Sequence, residues 1–279
     1  MQHIAFIKSL GFSERKKLNR YMIKKLCWVA IILIVLVMAK TAFADDICSD
    51  RPGAGSSTCT VPYQHWQIET DIGNGTWSKI QGVRTANIIV IDPTIKYGIL
   101  PYADIELTLT PYINNRTGSA LSSGIGDAYL RSKWEFIHND KFDMAVVGIV
   151  KVPIARNSIG NGVWESGIQI PTTYDIDKDW AIAHTSEIDL VKNNANNKTH
   201  VQIQESFAVS RDIPNTTITA QAGLASIVNY DQKTITQYSF NIATSWIQSH
   251  DTQWDMGFNF GLNKYAPGTQ FYLGISKKF

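Results

Sequence analysis

The chain has 279 residues, with 26 Lys/Arg against 24 Asp/Glu, a net charge of +2, and 44% hydrophobic residues. Its first 44 residues hold eight of the basic side chains and one acidic one, so the remaining 235 hold 18 basic and 23 acidic groups, a net −5. That balance removes overall basicity as a ground for binding nucleic acid, and no such partner is expected; 235 residues suit one large domain.

Taken in chain order, Met22 to Ala44 reads MIKKLCWVAIILIVLVMAKTAFA. Lys24 and Lys25 precede an apolar run from Leu26 to Ala39, and Ala42-Phe43-Ala44 supplies a small-x-small ending. This is the pattern of a secretory signal peptide cut after Ala44. A transmembrane anchor is the competing reading, but the run is shorter than a spanning helix needs. Residues 1–21 are basic and polar and act as an extended n-region, unless translation begins at Met22 rather than Met1. Cys27 opens the apolar run instead of closing it, which is the wrong place for a lipoprotein site.

Residues 45–62 are expected to form a short periplasmic segment that tucks into or under whatever follows. Cys48 and Cys59 flank RPGAGSST there, an even pair in an oxidising compartment, and are expected to form a disulfide rather than stay free thiols. Their spacing has no second matching pair, so no zinc or other metal site is expected.

From Tyr63 to Phe279 the chain is a succession of alternating segments separated by turn residues. In TQWDMGFNFGLN, Trp254, Met256, Phe258, Phe260 and Leu262 take one face and Asp255, Gly257, Asn259 and Gly261 the other. Twelve segments are counted, at about 63–72, 84–98, 103–114, 125–138, 141–154, 166–176, 180–191, 199–211, 215–229, 234–248, 252–263 and 269–279; ten or fourteen stay open. Exported, without later apolar helices, and with backbone groups that lipid cannot satisfy, such a chain forms a closed barrel. The expectation is an all-β, antiparallel up-and-down transmembrane barrel in the outer membrane of a Gram-negative-type bacterium. A soluble sandwich also alternates. Aromatics near segment ends (Trp134, Trp180, Trp246, Trp254, Tyr230, Tyr238) and the density of inward charges favour outer-membrane lipid as the partner of the outer face. The longer links GNGTWSKIQGV, NRTGSALSSG and ARNSIGNGVWE are assigned outward.

The inward register places Glu106, Asp127, Arg131, Lys133, Glu135, Lys151, Glu187 and Asp189 in the lumen. They either choose solutes by charge and size or pair with one another to hold a plugged barrel. Glu205 lands on the lipid face beside Ile203 and Phe207, so a slipped register or a bulge is expected there. In the last segment Phe271, Leu273, Ile275 and Phe279 share one face. A terminal Phe on an amphipathic strand looks like the signal read by the outer-membrane barrel assembly machinery; Lys277 breaks the pattern, with a stem long enough to snorkel.

Three stretches carry a resemblance to a known family: CSDRPGAGSSTCTVPYQHWQIET (Cys48 to Thr70), YGILPYADIELTL (Tyr97 to Leu109) and GIGDAYLRSKWEF (Gly124 to Phe136). They are similar to the outer-membrane transporter family named for meta-pathway phenol degradation. VVGIVKVPIARNSIGNG (Val146 to Gly162) resembles its following strand, with Val152-Pro153-Ile154-Ala155 where a Leu-Pro-Thr-Gly-like ending is usual. The resemblance implies a single-domain barrel passing small, often aromatic or apolar, solutes. No cofactor or covalent chemistry is expected. Gly124-x-Gly126-Asp127 lacks the Lys-Ser/Thr and helix of a phosphate loop. The competing classes are a surface-interaction barrel and an outer-membrane phospholipase-like enzyme. For the enzyme, His184-Thr185-Ser186 offers an outward His-x-Ser, but in the inner-leaflet half.

Overall fold

The computed structural model describes residues 47–279 apart from 81, 157–158, 194–197 and 232; the signal-peptide segment 1–44, with its cleavage site and Cys27, lies outside the described residues. Among those residues the regular structure is all β. Fifteen strands form: β1 (Trp66–Ile80), β2 (Val83–Ile89), β3 (Thr94–Leu100), β4 (Ala103–Thr108), β5 (Ile113–Thr117), β6 (Ala120–Gly124), β7 (Ala128–His138), β8 (Phe142–Val152), β9 (Glu165–Asp175), β10 (Trp180–Lys192), β11 (Thr199–Asp212), β12 (Ile218–Asn229), β13 (Ile235–Ser249), β14 (Thr252–Gly261) and β15 (Thr269–Lys278).

Neighbours pair antiparallel in the ring β1, β3, β4 and then β7 through β15, which is twelve wall strands. The ring closes where β1 meets β15, from Gln67 opposite Lys278 to Trp77 opposite Thr269. Phe279 extends this seam, its N–H donating to the Trp66 carbonyl at 2.8 Å. The remaining strands, β2, β5 and β6, continue the wall beyond the first ring. The upper half of β1 leaves β3 and pairs with β2, β2 pairs with β5, and β5 with β6. Two prolines mark the breaks: Pro93 precedes β3 and Pro111 lies between β4 and β5. Proline cannot donate to a ladder, so the strand is interrupted and resumes with a new neighbour.

This corrects two of the expected links. GNGTWSKIQGV is the upper half of β1 running into its turn at Gly82, and NRTGSALSSG is the β5–β6 hairpin. Their polar residues occur on both faces, so they lack the alternation of a lipid-crossing strand, yet their backbones pair all the same. The described residues between Val152 and Glu165 form no strand, in keeping with the link expected there.

Alternation elsewhere sorts the wall cleanly. On β10, Ile188 and Leu190 are exposed outward while Thr185 and Asp189 are buried inward; on β14, Met256 and Phe258 face out and Asp255 is buried. Exposed aromatics ring the wall near strand ends: Trp66, Trp134, Trp180 and Trp246 toward the end where the chain terminates, Trp164, Tyr230 and Tyr238 toward the other. Lys277 does not snorkel. It is buried, and its ammonium turns to Asp251 in the β13–β14 turn at 2.6 Å.

Gly98 shows how closely the incoming chain rides on the wall. A Cβ there would collide with the carbonyls of Val61 and Pro62, which are backbone and cannot swing aside. Gly98→Val is expected to prevent refolding to the compact barrel; loss of the heat-dependent band shift on electrophoresis is the measurement, and an unchanged shift would contradict this close packing.

Candidate functional site

Residues 47–62 enter the lumen and occupy its lower half, on the side of the chain end. A disulfide joins Cys48 to Cys59, so the residues between them form a closed loop. Asp50 and Arg51, soon after Cys48, are the main anchors, and they grip opposite charges on the wall.

Asp50 meets cations. Its two carboxylate oxygens take Lys96 Nζ from β3 at 2.5 Å and Lys133 Nζ from β7 at 2.6 Å. Ser57 adds its backbone N–H and hydroxyl to the same carboxylate at 2.9 and 2.8 Å. Both lysines are only 1% exposed, and Lys96 also pairs with Glu69 at 2.6 Å. Glu106 lies behind them, 3.8 Å from Lys96, 3.7 Å from Lys133 and 3.9 Å from Arg131. Asp104 accepts the Val61 N–H at 2.8 Å.

Arg51 meets anions. Its guanidinium reaches Asp71 on β1 at 2.6 Å and Asp255 on β14 at 2.9 Å, and lies 5.4 Å from the Tyr272 ring centre. Gly274 makes room for it, because a Cβ there would fall on the guanidinium. The Arg51 carbonyl accepts from Gln253 at 2.7 Å, Gly53 N–H donates to the Tyr272 hydroxyl at 3.1 Å, and Ser49 and Ser276 exchange a hydroxyl hydrogen bond at 2.8 Å.

The inward charges expected from sequence therefore divide into groups. Lys133 and Glu106 are covered by the plug, and Arg131 joins their edge through Glu106. Arg131, Lys151, Glu187 and Asp189 line a separate cavity of about 180 Å³ above it, between β7 and β11. There Lys151 pairs with Glu165 at 2.6 Å and stands 3.6 Å from Asp127; Glu187 accepts from Gln169 and Asp189 from Gln204. Glu135 sits apart from both groups, near the β7–β8 turn, with His138 at 3.1 Å and Asp143 binding the same imidazole at 2.9 Å. Asp50, Arg51, Lys96, Glu69, Asp71 and Asp255 were not among the expected residues. The available signal for them was the alternation of Lys96 with Tyr97 and of Asp255 with Trp254; nothing local marked Asp50 or Arg51 as lumen ligands.

Opposite the clamped side, the plug does not fill the barrel. A cavity of about 240 Å³ lies between the loop and strands β9 to β13, where the wall contributes neutral side chains, chiefly Thr173, Thr185, Ser206, Ser210, Thr219 and Ser245. The lumen thus has a charged half that holds the plug and a hydroxyl-lined half beside it.

Breaking a buried pair by removing one partner costs roughly 3–5 kcal/mol, because the other charge stays buried and unmatched. Asp50→Ala is therefore expected to lower urea stability by an amount of that order and to expose the loop to protease; an unaltered midpoint and cleavage pattern would show that the loop is not anchored there. Burial alone would raise the Asp50 carboxyl, but Lys133 and Lys96 outweigh it and hold the group well below the ordinary carboxylate range. With a lowered folded-state pKa, its contribution is complete above the ordinary value of 3.8 and is lost only as pH falls through the depressed one. Acidification from pH 7 to 5 is expected to leave the loop protease-resistant; release within that window would contradict the pairing.

The sequence model of a family described as "Putative MetA-pathway of phenol degradation" matches residues 49–279. Comparison with curated proteins finds no match. Among solved structures, the fold is similar to the NanC porin (TM-score 0.51, 10% identity, 76% of this chain and 100% of that one). It is also similar to the KdgM porin in complex with disordered oligogalacturonate (TM-score 0.51, 7% identity, 76% and 99%).

Proposed function

From the premise that this chain belongs to the family described as a putative MetA-pathway of phenol degradation, we propose that it is an outer-membrane channel passing small molecules beside a resident plug. The observation that carries the reading is the unfilled space next to the loop. The Cys48–Cys59 loop is tied by Asp50 and Arg51 to one part of the wall, and the other part presents only neutral, hydroxyl-rich side chains to the gap. A passage of this kind strips little charge from its walls and suits uncharged solutes, including aromatic ones carrying a hydroxyl, which can trade water for Ser and Thr partners. Above it, Arg131, Lys151, Glu187 and Asp189 would meet the solute first, each already engaged by a neighbour: Arg131 by Glu106, Lys151 by Glu165, and the two acids by Gln169 and Gln204. Lipid contacts the outer face. Phe271, Leu273, Ile275 and Phe279 on the last strand are the residues we assign to recognition by the barrel assembly machinery. Passage is passive, with no cofactor and no covalent step.

Conductance tests this. The refolded barrel in planar bilayers is expected to show small, weakly ion-selective steps. Asp50→Asn combined with Arg51→Gln frees both grips and is expected to raise the step size severalfold. Thr219→Trp, on the wall side of the gap and outside the ion pairs, is expected to reduce it. A folded, heat-modifiable barrel that is silent in all three forms would overturn the channel reading.

A further inference from the structure

The outer face carries one group of polar side chains where hydrocarbon is expected. His184 and Ser186 occupy successive outward positions on β10, and Glu205 stands opposite Ser186 on β11 in an unbroken ladder. The register does not slip and no bulge turns Glu205 inward. Instead, its Oε2 accepts from the Ser186 hydroxyl at 2.6 Å and pairs with His184 Nε2 at 2.8 Å. Thr172 on β9 faces His184 across the ladder, and Ser226 on β12 faces Glu205, so the polar band runs over four strands. Apolar side chains surround it: Ile168, Ile188, Phe207 and Leu224 are all exposed.

Local pairing does not hide this group. The side chains of His184 and Glu205 remain 43% and 44% exposed, at the middle of strands whose ends carry the aromatic ring. A carboxylate facing acyl chains at that depth is unfavourable even when hydrogen-bonded. Among the described residues the second oxygen of Glu205 and the Nδ1 of His184 take no hydrogen bond, so the patch keeps an acceptor and a ring nitrogen without a partner in its own barrel. It holds one carboxylate and one imidazole, which makes it complementary to itself.

We propose that two copies of this chain meet through the β10–β11 face in the membrane, about a two-fold axis. Glu205 of each copy takes the imidazole of the other, and the apolar rim excludes lipid. A two-fold contact requires a self-complementary patch, and this one is. A phosphate headgroup is a poor occupant, since it would have to reach mid-strand and face a carboxylate. Hydrolysis is also a poor account. The Ser186 hydroxyl is given to Glu205 rather than to the imidazole, and the backbone N–H groups of β10 and β11 are engaged in ladders on both sides, leaving no oxyanion donors. The proposal rests on the barrel lying in a bilayer, not on what passes through it.

The test uses the refolded barrel in lipid vesicles and in mild detergent, with the heat-dependent band shift of each sample reporting separately that the barrel is formed. Light scattering is expected to give the mass of two chains, falling to one in Glu205→Leu combined with His184→Leu. Ile188→Cys, on the same face, is expected to cross-link between copies under oxidation, and Ile242→Cys, on the outer face of β13, is not. A folded single-chain species in lipid, with Ile188→Cys cross-linking no faster than Ile242→Cys, would overturn the proposal. So would phospholipid hydrolysis abolished by Ser186→Ala, which would assign the cluster to chemistry. A barrel that pairs but conducts nothing would count against the channel alone.

Discussion

Two lysines that cannot reach water govern this lumen. Lys96 and Lys133 project from neighbouring parts of the wall into space where neither is solvated; Lys96 has a close wall partner in Glu69 at 2.6 Å, but for Lys133 the wall offers only Glu106, 3.7 Å away. The carboxylate that closes the arrangement belongs to Asp50, outside the sheet altogether. A charge buried without a close partner is far more costly than one buried with it. The barrel interior is thus incomplete as a sheet and becomes electrostatically complete only with the N-terminal loop seated. The next residue, Arg51, repeats the logic with opposite sign between Asp71 and Asp255. An adjacent acid and base meet a pair of lysines and a pair of aspartates on different strands of wall, which fixes the loop's rotation as well as its position.

That fixation divides the lumen. Charge is concentrated where it holds the loop, and the wall of the gap beside the loop, from β9 to β13, is neutral. The same separation governs the exterior, where one polar cluster interrupts an otherwise apolar surface. In both places the informative feature is a polar group whose ordinary surroundings do not account for it.

Much of the architecture was legible because a strand exposes its faces in strict alternation. The count of twelve, with ten or fourteen left open, the apolar exterior and the aromatic ends came from alternation repeated along the chain, as at Trp254, Met256 and Phe258, and the ring has twelve wall strands. The upper hairpins were not legible, since β5 and β6 (INNRT and ALSSG) are short and largely polar, and their pairing leaves no alternating trace. Inward orientation of Lys133 and Glu106 could be read from register, but not their partner. Asp50 meets Lys133 across 83 residues, and no local spacing encodes a contact that depends on the whole ring closing. Glu205 looked like an error of register for the same reason. Its compensation lies on another strand, at His184 and Ser186, and becomes visible only when the ladder aligns them.

The seam between the first and last strands gives Arg51 a second significance. Its two carboxylate partners lie on either side of that seam, Asp71 on β1 and Asp255 on β14, and Arg51 and Asp255 are 204 residues apart in the chain. A nascent barrel holding only its early strands can offer the loop Lys96, Lys133 and Asp71, but not the second half of the grip on Arg51. The grip on Arg51 is therefore complete only with β14 and β15 in place beside β1. One guanidinium acts as a stitch drawn across the last join, so a chain truncated before β14 would hold its plug by one edge.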